Sequence, residues 1–188
     1  MAEPPFLTER LLLRPFRDED LAVWLEHFNT AAVREYLAGV QSEDQARASF
    51  ARMAASWNAD GFGFLAIERL SDSVLIGTCG IGRVLDKPAP EPLASGLQLG
   101  WQLRPEAWGQ GYATEAARAL LAFAFDTLAL ETVWAQTSER NRGSWSVMQR
   151  LGMTRRAECD YSDPAYPPQD NPAMVWSIDR SAWAAEHG

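Results

Sequence analysis

Residues 108–115, WGQGYATE, place two glycines directly before a stretch of helix-forming residues. Glycine has no side chain to hold a ligand away from the main chain, and the first turn of a helix has N–H groups without partners inside the helix. Because the helix dipole is positive at this end, such N–H groups bind anions, including a pyrophosphate, without any basic side chain. Gly109 and Gly111 therefore predict an anion-binding turn.

This spacing alone is equally typical of an ordinary turn before a helix. Two nucleotide-binding patterns are excluded by the residues around it. A Walker P-loop requires Gly-Lys-Ser/Thr, which is missing here. The dinucleotide fingerprint G-x-G-x-x-G requires a third glycine, and Thr114 and Glu115 occupy that part of the helix instead.

The elements that position this turn follow from alternating strand-like and helix-like segments. Short apolar or β-branched runs predict strands at residues 8–16, 63–70, 74–84, 97–103, 132–137, 153–161 and 173–178. Apolar residues at helical spacing predict helices at residues 18–28, 42–57, 111–129 and 141–151. The proline-bearing residues 86–96 are expected to form a loop, and the second and third strands a hairpin. This order predicts an α/β fold with a sheet of mixed strand direction.

A few residues are predicted to have specific structural roles in these elements. Asp18, Ser42 and Asn141 are expected as helix N-caps, and Gln45 has the spacing of a capping-box partner for Ser42. Gly100 lies within the strand before the turn, where glycine indicates a bulge or a close backbone approach.

The composition is that of an ordinary globular domain. The chain has 188 residues, with 25 acidic against 17 basic side chains, a net charge of −8 and a single lysine, Lys87. This balance disfavours nucleic-acid binding and favours a cationic partner such as an amine. Cys79 and Cys159 are expected as buried free thiols, and His27 and His187 are too scattered for a metal site. Because no apolar run approaches the ~18 residues of a membrane span and the start lacks a signal-peptide pattern, we expect a cytoplasmic protein.

The turn residues WGQGYATEA, the preceding strand with Gly100 and the later segment NRGSWSVMQRLGM together resemble the GCN5-related N-acetyltransferase (GNAT) family. More narrowly, they resemble its branch of ribosomal-protein N-terminal acetyltransferases. The likeness extends from residue 8 to residue 183, so we expect residues 1–188 to form a single GNAT acetyltransferase domain. The resemblance implies a mixed, mostly antiparallel central sheet with splayed strands and flanking helices.

The resemblance also implies acetyl-CoA as the cosubstrate. Main-chain N–H groups of the turn would bind its pyrophosphate, namely those of Gly109, Gln110, Gly111, Tyr112, Ala113 and Thr114. The strand edge at Gln102 and Leu103 would pair with the pantetheine amides, and Asn141 would contact the cofactor from the head of the next helix. The strand carrying Gly100 and the strand at residues 132–137 would splay apart near a bulge at Gly100 to admit the pantetheine arm.

Acetyl transfer to an amine requires a neutral nucleophile, a polarised thioester carbonyl and a proton for the leaving thiolate. An aliphatic amine with a pKa of about 10 is mostly protonated at neutral pH, so a base or a water relay must remove a proton before attack. A main-chain donor of the bulged strand would stabilise the oxyanion. Ser144 matches the serine of the family's N-x-x-S motif and is the candidate proton donor to the CoA sulfur. The alternative is that Ser144 only bonds local backbone in the first turn of its helix.

Two positions depart from the family's pattern. Trp108 stands where the motif begins with Gln or Arg, which matters little if the main chain binds the phosphate. Gln98 stands where many relatives place a glutamate, and an amide is not a general base. The base therefore stays open between a water chain and another carboxylate, for which Glu35, Asp160 and Asp163 have no spacing argument.

The sequence thus predicts an acetyl-CoA-dependent N-acetyltransferase that acts by direct attack on a primary amine, either a protein or peptide N-terminus or a small-molecule amine. One alternative is a non-catalytic acyl-CoA binding or sensing module, which Gln98 permits. Another is a structural interaction domain that binds no CoA. Glu115 is expected to complement the helix dipole or bond nearby backbone rather than abstract a proton. We expect no metal, nucleic-acid or membrane partner, and exposed strand edges favour a homodimer.

Overall fold

The computed structural model describes residues 4–85 and 88–187, so the first two residues of the predicted loop 86–96 lie outside the described residues. The described residues contain eight strands: β1 Phe6–Leu7, β2 Leu11–Arg14, β3 Phe64–Arg69, β4 Val74–Arg83, β5 Leu97–Leu103, β6 Thr132–Ser138, β7 Thr154–Arg155 and β8 Ala173–Asp179. They also contain five α-helices: α1 Asp20–His27, α2 Glu43–Asp60, α3 Tyr112–Ala122, α4 Arg142–Arg150 and α5 Arg180–His187.

The strands form one sheet in the order β1-β2-β3-β4-β5-β6-β8-β7. Every described pair of strands is antiparallel except β5 with β6, which run parallel at the centre of the sheet. These two strands pair at one position, Gln98 with Trp134, and have no further registered pair. They therefore splay apart towards their carboxyl ends. The predicted fold class, a mostly antiparallel mixed sheet with splayed strands and flanking helices, is confirmed.

The helices cover both faces of the sheet and enclose two apolar cores. On one face, α3 packs against β4 and β5 and buries Leu120 and Leu121 fully, together with Leu99 from β5. On the other face, α1 and α2 pack against each other and β3, with Trp24 stacked on Phe28 at 5.0 Å between ring centroids. The sheet thus separates two compartments.

Local sequence signals explain where several helices begin. Ser42 Oγ accepts a hydrogen bond from Gln45 N at 3.3 Å and Gln45 Oε1 accepts one from Ser42 N at 3.0 Å, so the predicted capping box is confirmed. Asn141 is the N-cap of α4, as expected. Asp18 is not a cap, since Glu19 holds that position in α1 and makes no side-chain cap bond.

Three other predicted elements differ from the structure. The strand expected at residues 8–16 is confined to β2, which ends before Pro15, and β1 precedes that range and forms a tight hairpin with β2. The strand expected at residues 153–161 is reduced to the two residues of β7, because a 3₁₀ turn follows at Ala157–Cys159. The helix expected at residues 111–129 ends at Ala122 and continues as a π-helical turn, Phe123–Thr127.

A buried ion network joins α1 to the sheet. Arg14, at the end of β2, donates to both carboxylate oxygens of Asp20 at 2.7 and 2.9 Å and to Glu68 of β3 at 2.8 Å. Arg14 and Asp20 are only 6% and 3% exposed. Although burial itself raises the pKa of Asp20, the hydrogen bonds from Arg14 and from the main chain of Arg17 hold that pKa below its usual value.

We predict that Asp20→Asn destabilises the fold by about 3 kcal/mol, because it leaves the buried guanidinium of Arg14 with one carboxylate fewer. Urea unfolding at neutral pH measures this loss. The depressed pKa stabilises the fold above the unfolded value of about 4, and this contribution disappears as pH falls through the folded value. The variant should therefore lose less stability on acidification than the wild type.

The matched control is Asp18→Asn, which makes the same change at an exposed position two residues earlier. It should change stability by less than about 0.5 kcal/mol. Equal losses in the two variants would contradict the assignment of stability to the network.

Candidate active site

The predicted anion-binding turn lies between β5 and α3. A 3₁₀ turn at Pro105–Ala107 leads into it, and α3 begins directly after Gly111. Gly109 and Gly111 have φ angles of +73° and +83°, a region that other residues rarely adopt. A Cβ on Gly109 would meet nothing within 4 Å, so the backbone conformation and not a lack of space requires glycine there.

The first turn of α3 has free main-chain donors. Its first internal hydrogen bond runs from Glu115 N to Gly111 O at 3.0 Å. Within the described ranges, the N–H groups of Gly111, Tyr112, Ala113 and Thr114 have no hydrogen-bond partner, and no side chain caps the helix. The Thr114 hydroxyl is also buried without a partner. These orphaned donors fit an anionic group such as a diphosphate.

The β1–β2 hairpin anchors the turn through Glu115. One carboxylate oxygen of Glu115 accepts from Thr8 Oγ1 at 2.6 Å and from Arg10 N at 2.8 Å, and the other accepts from Arg10 Nε at 2.7 Å. Arg10 also donates to Gln110 O at 3.0 Å and lies over the ring of Tyr112. Burial opposes ionisation of Glu115, but the hydrogen bonds from Thr8 and Arg10 hold its pKa below the usual value. Glu115 therefore anchors the turn. The backbone group that bonds to it, Arg10 N, is distant in sequence and is not in the nearby backbone that was expected.

The free edge of β5 differs in detail from the prediction. Arg104 N donates to Ile76 O of β4 at 3.0 Å, so alternation directs the main-chain groups of even-numbered β5 residues towards β4. Trp101 and Leu103 therefore face the gap that opens beside β6. Gln102 turns its main chain away from that gap, and its side chain donates to Phe28 O at 3.3 Å. The main-chain groups open to the gap are thus those of Trp101 and Leu103. Pairing of the pantetheine amides with this strand edge stays a prediction.

Trp108 connects the turn to this edge. Its indole N–H donates to Leu103 O at 2.8 Å, although half of the side chain is exposed. Trp108 thus has a structural role. Its departure from the Gln or Arg of the family's motif did not suggest this role.

We predict that Trp108→Phe weakens CoA binding about fivefold, because it removes one hydrogen bond worth about 1 kcal/mol while keeping an aromatic ring. Isothermal titration calorimetry with CoA measures the change. Trp145→Phe is the matched control, since it removes an indole hydrogen bond of 3.0 Å to Glu139 O elsewhere in the fold. A similar loss of affinity in both variants would contradict a specific effect on the turn.

Gly100 does not form a bulge. The register between β4 and β5 is continuous, with Gly80 opposite Gly100. The other expectation for this residue, a close approach, describes the structure, because a Cβ on Gly100 would lie 3.1 Å from Cζ of Phe64. The splay arises because β6 stops pairing with β5 after Gln98, without an inserted residue.

Ser144 lies in the first turn of α4 and is half-buried. Asn141 caps the helix by accepting a hydrogen bond from Ser144 N at 3.2 Å. The hydroxyl of Ser144 itself has no hydrogen-bond partner in the part of the chain that the structure describes. The capping role belongs to Asn141, so local backbone bonding does not account for the Ser144 side chain.

Gln98 lies at the point where β5 and β6 separate. Its Oε1 accepts a hydrogen bond from Gln136 Nε2 at 3.0 Å, and Gln136 Oε1 accepts one from the Tyr161 hydroxyl. Of the alternative carboxylates, Asp160 is engaged by Arg155 and lies outside the main cleft.

Glu35 and Asp163 both line the main cleft. Glu35 lies 3.7 Å from Arg140, and Asp163 accepts a hydrogen bond from Ala165 N at 2.8 Å. No contact identifies either as a general base.

One cleft of about 1750 Å³ brings the predicted site residues together. Its lining includes Gln102, Leu103, Gly109, Gly111, Tyr112, Ala113, Thr114, Asn141 and Ser144. Gln110 is not in the lining, because its side chain donates back to Glu106 O at 2.7 Å. Sequence reasoning missed Arg10 and Phe64, which line the cleft from elements remote from the motif, and Trp101, which lines it from the strand directly before the motif.

Other reactive residues do not form a second site. Cys79 and Cys159 are buried free thiols, as expected, and burial raises the pKa of Cys79. No group of metal-ligating side chains occurs among residues 4–85 and 88–187. In the same part of the chain, no helix has the length and apolar character needed to span a membrane.

The splayed parallel strands, the turn of free N–H groups and the continuous cleft define a class of protein whose cleft fits an extended ligand that contains an anionic group such as a diphosphate. Residues 10–154 match the family model described as an acetyltransferase (GNAT) domain. The chain therefore belongs to the GNAT acetyltransferase family and is an acetyl-CoA-dependent acetyltransferase.

Individual relatives agree with this assignment. The uncharacterized N-acetyltransferase YnaD of Bacillus subtilis is 30% identical over 149 residues, which is 79% of this chain and 81% of YnaD. The crystal structure of an acetyltransferase from Agrobacterium tumefaciens is 31% identical, with a TM-score of 0.75 and 95% of both chains covered. Spermidine N-acetyltransferase from Vibrio cholerae, solved with CoA and spermine, shares the fold with a TM-score of 0.73 at 14% identity.

Proposed function

We propose that the protein transfers an acetyl group from acetyl-CoA to a primary amine by direct attack. The observation that carries this proposal is the single cleft that joins the orphaned donors of α3, the free edge of β5 and the hydroxyl of Ser144. When bound, acetyl-CoA supplies an activated acetyl thioester. The remaining chemistry is positioning, charge stabilisation and proton transfer by this chain.

The main chain provides the binding and the charge stabilisation. The N–H groups of Gly111, Tyr112, Ala113 and Thr114 hold the diphosphate at the start of α3. Trp101 and Leu103 pair with the pantetheine amides across the gap beside β6. The Trp101 N–H is the first β5 donor beyond the last β5–β6 pair, so it also faces the place where the oxyanion develops.

Ser144 provides the proton for the leaving group. The amine nitrogen forms a bond to the acetyl carbon, the carbon–sulfur bond breaks, and the proton lost by the amine passes to water. The thiolate takes a proton from the Ser144 hydroxyl, which regains one from solvent. Gln98 is an amide and removes no proton, so a water relay supports deprotonation of the amine.

The acceptor class includes a protein or peptide N-terminal α-amine, which the likeness to the ribosomal-protein branch suggests, and a small-molecule amine. The spermidine N-acetyltransferase from Vibrio cholerae, which shares the fold, is named for an acceptor of the second kind. A cytoplasmic location, a single domain over residues 1–188 and a homodimer stay predictions.

Two measurements test the proposal. Calorimetry with CoA should show saturable binding, and thiol release from acetyl-CoA should depend on an added amine. CoA binding without amine-dependent release would favour the alternative, a non-catalytic sensing module. Absence of CoA binding would overturn both proposals and leave an interaction domain.

A further inference from the structure

The ring of Phe64 rests on a patch of three glycines from two neighbouring strands. A Cβ on Gly80 would lie 2.5 Å from Cγ of Phe64, one on Gly82 would lie 3.2 Å from Cε2, and one on Gly100 would lie 3.1 Å from Cζ. Because Gly80 is opposite Gly100 in the register, the ring lies across both β4 and β5. Any side chain at these positions would displace it.

The main chain of Phe64 is fixed from two directions. Its N–H donates to Ser56 Oγ of α2 at 3.3 Å, and Ser56 Oγ donates to Met53 O at 2.7 Å. On the other side, Phe64 pairs with Gly80 in the β3–β4 ladder. The ring is half-buried and lines the same cleft as Ser144. It therefore presents a rigid apolar surface to the cleft.

The Phe64 ring lies on the face of the sheet that α1 covers. Side chains of Gln98 and Gln102 share this face with Gly100, because alternate strand residues point the same way. The Gln102 side chain reaches Phe28 O directly after α1, which identifies the covering elements. The part of the cleft beside Phe64 therefore lies across the sheet from α3, and both parts belong to the same continuous cleft.

The opposite wall of this compartment is the segment between α1 and α2, residues 29–41. Val33, Tyr36 and Leu37 of this segment line the cleft. Asn29 exchanges two hydrogen bonds with the main chain of Gln41, at 2.8 and 2.9 Å, which closes the segment into a compact loop. Phe64, the apolar side chains of this wall and Gln98 all line the one cleft, and the part of the cleft that they line is called the slot below.

The charges around the slot are mainly negative. Glu35, Asp163 and Asp170 line the cleft together with Tyr36 and Leu37, and Arg140 lies between two of these carboxylates. Arg140 is already compensated, since it lies 3.2 Å from Asp170 and 3.7 Å from Glu35. An ammonium group is attracted here, and a carboxylate on the acceptor is repelled.

We infer that Phe64 is the residue that determines acceptor specificity, and that it selects primary amines with an aromatic or bulky apolar group and no carboxylate on the adjacent carbon. This inference rests on the proposed function. The acceptor's apolar group packs on the Phe64 ring, which places its amine at the junction of β5 and β6. The carboxylates that line the cleft repel the carboxylate of a free amino acid.

The test uses four amines that separate the requirement for an aromatic group from the requirement that the acceptor has no carboxylate. Phenethylamine and phenylalaninamide have the ring and no carboxylate, phenylalanine has both, and ethylamine has neither. From thiol release, kcat/KM for the first two should exceed the values for phenylalanine and ethylamine roughly 10- to 100-fold, the range expected for burying an aromatic ring.

Phe64→Ala should remove the preference by raising KM for phenethylamine about tenfold or more, with ethylamine and CoA affinity unchanged. Phe62→Ala is the matched control, because Phe62 is also half-buried but contacts Arg83 and lies outside the cleft lining. Phe64→Leu keeps an apolar side chain and provides a second variant if Phe64→Ala folds poorly. It should give an intermediate preference.

The outcomes separate the two proposals. Amine-dependent thiol release with the same preference in wild type, Phe64→Ala and Phe64→Leu would overturn the role of Phe64 and leave the transferase intact. A preference for phenylalanine over phenethylamine would overturn the charge argument. CoA binding with no release for any of the four amines would overturn the proposed function and this inference together.

Discussion

Gly109→Ala should weaken CoA binding by at least about tenfold. Gly109 adopts a φ of +73°, which costs an alanine about 1–2 kcal/mol, and the new methyl group projects into the open space of the cleft. Relaxation of this strain moves the neighbouring N–H groups away from the diphosphate. Calorimetry with CoA measures the affinity, and thermal unfolding measures the stability of the same sample.

Gly61→Ala is a closely matched control for this variant. Gly61 has a φ of +72°, and a Cβ there would also meet nothing within 4 Å, but the residue ends α2 and does not line the cleft. Both variants should lose similar stability, and only Gly109→Ala should lose CoA affinity. Unchanged affinity in Gly109→Ala would remove the main-chain turn as the diphosphate site.

Ser144→Ala should lower kcat about 100-fold, because the leaving thiolate loses its positioned proton donor. The affinity for CoA should change less than twofold, since the Ser144 hydroxyl has no partner in the structure and the Asn141 cap bonds to the main chain of this residue. Steady-state kinetics and calorimetry separate the two effects.

Ser144→Thr retains a hydroxyl and should recover most of the lost rate. The kcat of Ser144→Ala should also become more dependent on added buffer acids, which replace the missing donor. An unchanged kcat in Ser144→Ala would exclude the serine as the proton donor, and loss of CoA binding in that variant would indicate a structural role instead.

Most features that depend on neighbours in sequence were predicted correctly, with Asp18 as a helix cap the exception. The capping box at Ser42, the cap at Asn141 and the glycine turn before α3 each arise from hydrogen bonds or φ angles within a few residues. Such signals can be recognised in a sequence because the residue type and its spacing determine the local backbone conformation. The splayed central strands were expected only through the family resemblance, since no single-strand pattern encodes which strands lose their pairing.

Contacts between distant segments were not predicted. Glu115 bonds to Arg10 across 105 positions, and buried Arg14 bonds to Glu68 across 54. Neither pair follows from periodicity, because their geometry depends on how the N-terminal hairpin packs onto the sheet. The hydrogen bond of Trp108 was not predicted either. Its indole N–H donates to the carbonyl of Leu103 in the preceding strand.

Two errors near the C-terminus have specific causes. The stretch from Met153 to Tyr161 was interpreted as a full strand, but Arg155 binds Asp160 and a 3₁₀ turn follows after two paired residues. Helix α5 was missed although it contains several alanines, and Arg180 at its start donates to Leu130 O from a distant loop. Pairing partners rather than propensity determine both boundaries.

The hairpin formed by β1 and β2 makes the diphosphate turn dependent on the very start of the fold. Thr8 and Arg10 hold Glu115, and Arg10 holds the carbonyl of Gln110 from the same side. Residues 108–115 are therefore not a transferable module: grafted into another scaffold without this hairpin, the same eight residues would keep their glycines and lose the support that orients their amides.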